Sequence, residues 1–191
     1  MYGTFNRPYR AEIVEGMGKQ AVVKLRYDAP EVYPAGVLIE RTLTLAAGEE
    51  GFTVDYRLTP KPQSVDGKQA FWAATSLGIG DPVKKWRRLV TATGALEFTP
   101  TKTVTLVGPE SAREPLNWLA APVSAQTNFA LFWRNEEVSA AELEMKEFSS
   151  LVNVKFKPFA QAAPHTYRLA YYFGALPVAQ LPAVRERMLR R

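Results

Sequence analysis

Residues 36–60 read GVLIERTLTLAAGEEGFTVDYRLTP, and their alternation decides the class of fold. Phe52, Val54, Tyr56 and Leu58 share one parity, and Thr53, Asp55 and Arg57 share the other. That is the period of an antiparallel strand with one face buried and one wet. The run before it is read with Val37, Ile39, Thr42 and Leu45 as its apolar positions and the charged Glu40 and Arg41 between them. AAGEEG joins the two runs and supplies glycine where a tight connection needs positive φ. The stretch therefore predicts a β-hairpin.

The same period recurs on both sides of the hairpin. It predicts strands at residues 9–15 and 20–27 before it, and at 70–78, 87–93, 101–106, 128–134, 141–148, 151–157 and 165–173 after it. PKPQSVDGK, residues 60–68, reads as a polar loop, and SAREPLNW, residues 111–118, as an irregular crossing between sheets. Strands this closely spaced, with almost no helix-length segment among them, imply an all-β antiparallel β-sandwich rather than an α/β fold. The exception is PVAQLPAVRERMLRR, residues 177–191, where Val178, Leu181, Val184, Met188 and Leu189 approximate one apolar face. A basic amphipathic helix is expected at about 177–190, with Pro182 in its first turn, docked by its apolar face. No linker interrupts the pattern, so residues 1–191 are expected to form one β-sandwich domain closed by that helix.

Composition narrows the classes of function. Of 191 residues, 47% are hydrophobic and 23% charged, which suits a folded globular chain. Cysteine is absent, which excludes disulfides, thiolate metal sites and cysteine nucleophiles. No apolar run approaches the roughly 20 residues that span a bilayer, and MYGTFNRPYRAEIVEG does not read as a secretory signal. A periplasmic or extracellular setting is expected ahead of a cytoplasmic one. The formal charge of +5 owes much to Arg168, Arg185, Arg187, Arg190 and Arg191, so it is a local excess and a poor pointer to a polyanion partner.

The order of an alternating strand, IERTLTLAAGEEGFTVDYRLTP, a polar loop and an aromatic strand resembles the galactose mutarotase-like β-supersandwich superfamily. Arg41, Thr42, Leu43, Thr44 and Leu45 match the first strand of that pattern, and Phe52, Val54, Tyr56 and Leu58 the second. HTYRLAYYFGAL, residues 165–176, resembles the closing strand. The resemblance spans roughly residues 20–176 and implies a supersandwich associated with carbohydrate, either as a compact member or as a piece of a larger bacterial protein. Function within a superfold is carried by sites, so the resemblance does not choose among epimerases, accessory domains of carbohydrate-active enzymes and interaction domains.

Epimerase members of that superfamily work with histidines and a glutamate as general acid and base. This chain has one histidine, His165, so the expectation is a noncatalytic domain. The enzymatic alternative uses the carboxylates of AELEMKEF, Glu142 or Glu144, with His165 as the other titrating group. The plainer reading of Glu142 and Glu144 is the wet face of an edge strand with Leu143 and Met145 inward. A third possibility is a module that binds another protein through a sheet face or the basic helix. Sugar recognition combines an aromatic face with planar hydrogen-bonding groups. Two clusters have that composition: KKWRR, with Trp86 and Arg87, and FWRNEE, with Trp133, Arg134, Asn135 and Glu136. Trp72 and Trp118 sit in apolar surroundings and are expected in the core. KKWRR would also suit an unpaired base and its phosphates, but no nucleic-acid-binding motif accompanies it, so nucleic acid is not favoured. No spacing typical of a metal site, a phosphate-binding loop or a dinucleotide-binding turn is found, so no cofactor is expected. The expected partner is a carbohydrate or a neighbouring domain.

Overall fold

The computed structural model describes residues 9–16, 18–28, 37–60, 68–69, 72–78, 89–96, 102–108, 117–122, 127–145, 149–160 and 163–190. In chain order the strands are β1 (Arg10–Glu15), β2 (Gln20–Asp28), β3 (Val37–Ala46), β4 (Gly51–Pro60), β5 (Lys68–Gln69), β6 (Trp72–Gly78), β7 (Leu89–Thr91) and β8 (Gly94–Leu96). They continue with β9 (Thr103–Val107), β10 (Trp118–Pro122), β11 (Asn128–Trp133), β12 (Val138–Met145), β13 (Ser149–Phe156), β14 (Phe159–Ala160) and β15 (His165–Gly174). A single turn of 3-10 helix, Val178–Gln180, then leads into α1 (Leu181–Arg190). Every strand pairing with a resolved register is antiparallel. The chain is an all-β antiparallel sandwich with a C-terminal helix, as its alternation predicts. It divides into two compact units, Met1–Gln69 with Pro158–Arg168, and Ala70–Lys157 with Leu169–Arg191.

In the first unit β1, β2, β3 and β4 form a meander in that order, and β5 pairs with β14. The β3–β4 hairpin closes through Gly48, whose φ of 77° is readily reached only without a Cβ. The N–H of Glu49 donates to the carbonyl of Ala46 at 3.1 Å within that turn. Register fixes which residues share a face. Tyr27, Ile39 and Leu58 lie in one row and are buried, and Val23, Leu43 and Val54 lie in another. On the opposite face Arg26 pairs with Glu40 and Glu40 with Arg57, a cross-strand ladder of alternating charge. The observed register corrects one detail of the sequence reading. Thr42 stands on this polar face, opposite Lys24 and Asp55, whereas Arg41 stands on the apolar face, opposite Leu25 and Tyr56. The reason is parity: Arg41 lies two residues from Ile39 and two from Leu43.

In the second unit, β6, β13, β12 and β9 form one sheet in that order, and the Leu169–Gly174 part of β15 continues through β11, β10, β7 and β8 in another. The first sheet turns Ala141, Leu143, Met145, Val152, Val154 and Phe156 inward. Along β10 and β11 the second is buried on both faces. Leu119, Leu131, Trp133 and Leu169 are on one face, and Trp118, Ala120, Ala130, Phe132, Ala170 and Tyr172 are on the other, under α1. Leu181, Val184, Met188 and Leu189 of α1 fall at helical spacing and are all buried against that face. Pro182 occupies the first turn, where its missing N–H is no loss. Trp118 is core, as its neighbours suggest, while the side chain of Trp72 lies outside the described residues.

Two expectations about strands change. β10 begins at Trp118, inside the stretch read as an irregular crossing. WLAAP does not alternate because it is sandwiched between β11 and β7 with both faces buried, and such strands have no wet face to mark their period. β12 is an interior strand paired to β13 and β9, not an edge strand.

Candidate functional site

The FWRNEE cluster is a turn locked to the C-terminal helix. Trp133 ends β11 with 0% of its surface exposed, so its ring is a core anchor with no face open to a solvated ligand. Its backbone carbonyl accepts from Arg185 Nε at 3.2 Å and Nη2 at 3.0 Å. Arg134 reaches the other way: its Nη2 donates to the carbonyl of Leu189 in the last turn of α1, and its Nη1 donates to Glu137 Oε1 at 3.1 Å. The orphan carbonyls of a helix C-terminus are favourable partners for a cation. Asn135 and Glu136 form the tip of this turn, which is closed by the N–H of Glu137 on the carbonyl of Arg134 at 3.1 Å. Glu136 is exposed and Asn135 half-buried. Trp133, Arg134, Asn135 and Glu136 are thus contiguous, and two of them hold the helix to the sheet. Trp86 and Arg87 lie outside the described residues.

The carboxylates of β12 share the outer face of their sheet. Glu142 and Glu144 are half-buried and alternate with the fully buried Leu143 and Met145, as the sequence pattern predicts. Glu144 Oε1 accepts from Asn153 Nδ2 at 2.8 Å, and Asn153 lies opposite Glu142 in the register. Thr105 and Thr103 of β9 stand opposite Glu142 and Glu144. This is a row of polar groups on one face. Side by side on one strand, the two carboxylates are not arranged as an acid and a base across a cleft. His165 opens β15 at an exposed position in the first unit, its ring centroid 4.5 Å from that of Tyr167. Among the described residues no group of three or more His, Asp or Glu is placed to hold a metal ion, and no helix is long and apolar enough to cross a membrane.

A cluster that the sequence reading passed over gathers around Arg41. Its guanidinium carbon lies 4.6 Å from the ring centroid of Tyr9 and 5.5 Å from that of Tyr56. Tyr9 in turn packs against Tyr27, with centroids 5.1 Å apart. Arg41 Nε and the Tyr9 hydroxyl are both enclosed, and neither has a hydrogen-bond partner. The signal in the sequence was the odd parity of Arg41 among Ile39, Leu43 and Leu45. Grouping Thr42 with the apolar residues concealed it.

No protein-family model matches this sequence, and no curated protein sequence matches it. Solved structures do match in three dimensions. A galactose mutarotase-like protein from Clostridium acetobutylicum superposes with a TM-score of 0.61 at 7% identity, over 90% of this chain and 68% of that one. A candidate aldose 1-epimerase from Klebsiella pneumoniae does so with a TM-score of 0.57 at 10% identity, over 95% of this chain and 58% of that one. The α-N-acetylgalactosaminidase of Bifidobacterium bifidum gives 0.66 at 12% identity, covering 97% of this chain and 31% of that one. The class is therefore an antiparallel β-sandwich. This chain's fold is similar to that of these galactose mutarotase-like and aldose epimerase-like structures, and the chain spans only part of the length of several of the proteins it matches.

Proposed function

We propose that the chain is a noncatalytic, carbohydrate-associated β-sandwich domain that works alongside other domains. The observation that supports this reading most directly is one of extent. Nearly the whole chain corresponds to less than a third of the Bifidobacterium α-N-acetylgalactosaminidase, the relation expected of a domain within a carbohydrate-active protein. Planar polar side chains on the outer face of the β12 sheet, Glu142, Glu144 and Asn153, suit sugar hydroxyls, and separately the KKWRR sequence, with Trp86 and Arg87, has the composition of an aromatic and cationic sugar contact.

Intrinsic tryptophan fluorescence titrated with a panel of soluble oligosaccharides tests it, with Trp86→Ala and Glu144→Gln beside the wild type. A saturable change that weakens in either variant is the expected result. A folded protein that responds to no glycan overturns the reading.

A protein-interaction role is a second reading because one sheet face carries exposed apolar side chains. Ile13 is 75% and Leu45 47% exposed, on the same face as Val23 and Leu43. A photo-crosslinking residue at Leu45 in the producing cell tests this role, and the absence of any discrete adduct removes it.

A further inference from the structure

We propose that Arg41, with Tyr9 and Tyr56, is a receptor for the carboxylate of an acidic sugar, an inference that rests on the carbohydrate-associated reading above. Arg41 is a half-buried cation on the apolar face of its sheet, between Leu25 of β2 and Tyr56 of β4. Burying a charge is unfavourable unless it is paired and hydrogen-bonded. Among the described residues no carboxylate pairs with Arg41, and its stabilisation comes from the two tyrosine rings at 4.6 and 5.5 Å. Two donors of this cluster, Arg41 Nε and the Tyr9 hydroxyl, are enclosed yet have no acceptor. Such orphaned donors are rare in folded proteins and call for an explanation.

A ligand carboxylate supplies what is missing. It offers two coplanar oxygens to the guanidinium fork and an acceptor for the phenol, and it neutralises the charge. The rings select what the carboxylate is attached to. The C–H face of a pyranose packs on a tyrosine ring, and Tyr9 is the half-buried one of the two while Tyr56 is buried, so a hexuronate engages the cation and the Tyr9 side chain together. A neutral sugar leaves the cation unpaired, and a small inorganic anion leaves the Tyr9 ring uncovered.

The test is an NMR titration that follows the Arg41 Nε–Hε resonance and the Tyr9 and Tyr56 backbone amides. Tri-galacturonic acid, the neutral galactose trisaccharide and sodium acetate are the three probes. Saturable binding of the uronate at least ten-fold tighter than either other probe, lost at least ten-fold in Arg41→Met and weakened in Tyr9→Phe, is the expected result. Arg41→Lys keeps the charge without the fork and does not restore it. Equal binding of acidic and neutral trisaccharides, or uronate binding untouched by Arg41→Met, overturns the receptor and leaves carbohydrate association standing. Acetate as tight as the uronate overturns the assignment to a sugar. Binding of none of the three overturns the receptor, and only a negative wider glycan panel overturns the parent reading. If Arg41→Met does not fold, the wild-type titration decides: an Arg41 resonance that the uronate does not move refutes the proposal.

Discussion

Arg185 of α1 donates to the backbone carbonyl of Trp133 through both Nε, at 3.2 Å, and Nη2, at 3.0 Å. One residue further on, Arg134 donates back to the carbonyl of Leu189. The end of β11 and the C-terminal helix are thus held from both sides by charged donors on main-chain acceptors, beside the buried apolar contact of Leu181, Val184, Met188 and Leu189. What reads in sequence as an aromatic and cationic patch is a structural latch.

Arg185→Ala is expected to destabilise the fold by about 1.5–3 kcal/mol, the usual range for a lost hydrogen bond to a charged group. The Arg185 side chain is only 14% exposed, so water replaces the lost bonds poorly. Urea denaturation measures the change. With Arg134→Ala added, the two losses are expected to be non-additive by roughly 0.5 kcal/mol or more, because both arginines fasten the same helix. Strict additivity would show that the two contacts act independently.

Leu181→Ala removes a fully buried side chain from the junction of α1 and the sheet and is expected to cost about 2–5 kcal/mol. Thermal unfolding detects it. Hydrogen exchange should show the amides of α1 losing protection first, since the helix is short and depends on its docked face. Arg187→Ala on the exposed side of the same helix is expected to stay within roughly 0.5 kcal/mol of the wild type.

Asp55 and Arg168 form a bidentate pair, with Nε–Oδ1 at 2.6 Å and Nη2–Oδ2 at 2.7 Å and side chains 20% and 18% exposed. The partners are separated by 113 positions in sequence. Asp55→Asn keeps the size but loses the charge, and is expected to cost about 1–2 kcal/mol, between an exposed and a buried pair. Arg168→Lys is expected to cost nearly as much, because an ammonium does not reproduce the paired geometry. Equilibrium denaturation at low and high salt checks both, and an unchanged midpoint for Asp55→Asn would rule out a stabilising role.

Gly48→Ala places a Cβ on a backbone with φ of 77° and is expected to cost roughly 1–2 kcal/mol. A built Cβ there meets nothing within 4 Å, so the penalty is conformational rather than steric. Gly48→Asn should therefore recover part of the loss, since Asn tolerates that region better. Denaturation midpoints of the two variants rank them, and equal losses would point away from backbone conformation.

The local pattern determined the class of fold, the hairpin of β3 and β4, the inward Leu143 and Met145, and the apolar face of α1. Each follows from a period of two or 3.6 that the chain carries within itself. Other features depend on partners distant in sequence. The strand character of WLAAP is hidden because β10 is an interior strand, paired at its edges to β11 and β7, with one face under α1 and the other buried as well. Glu142 and Glu144 lie on an interior strand only because β9 pairs there. Trp133 and Arg134 became a core anchor and a helix clamp through Arg185 and Leu189, more than fifty positions away. Arg41 stands between these cases: its parity is local and legible, but the tyrosines over its guanidinium come from β4 and from the residue preceding β1. Periodicity assigns a side chain to a face, and only the tertiary structure decides what meets it there, because the contacts that bury a charge or satisfy a carbonyl are made between segments that the sequence keeps apart.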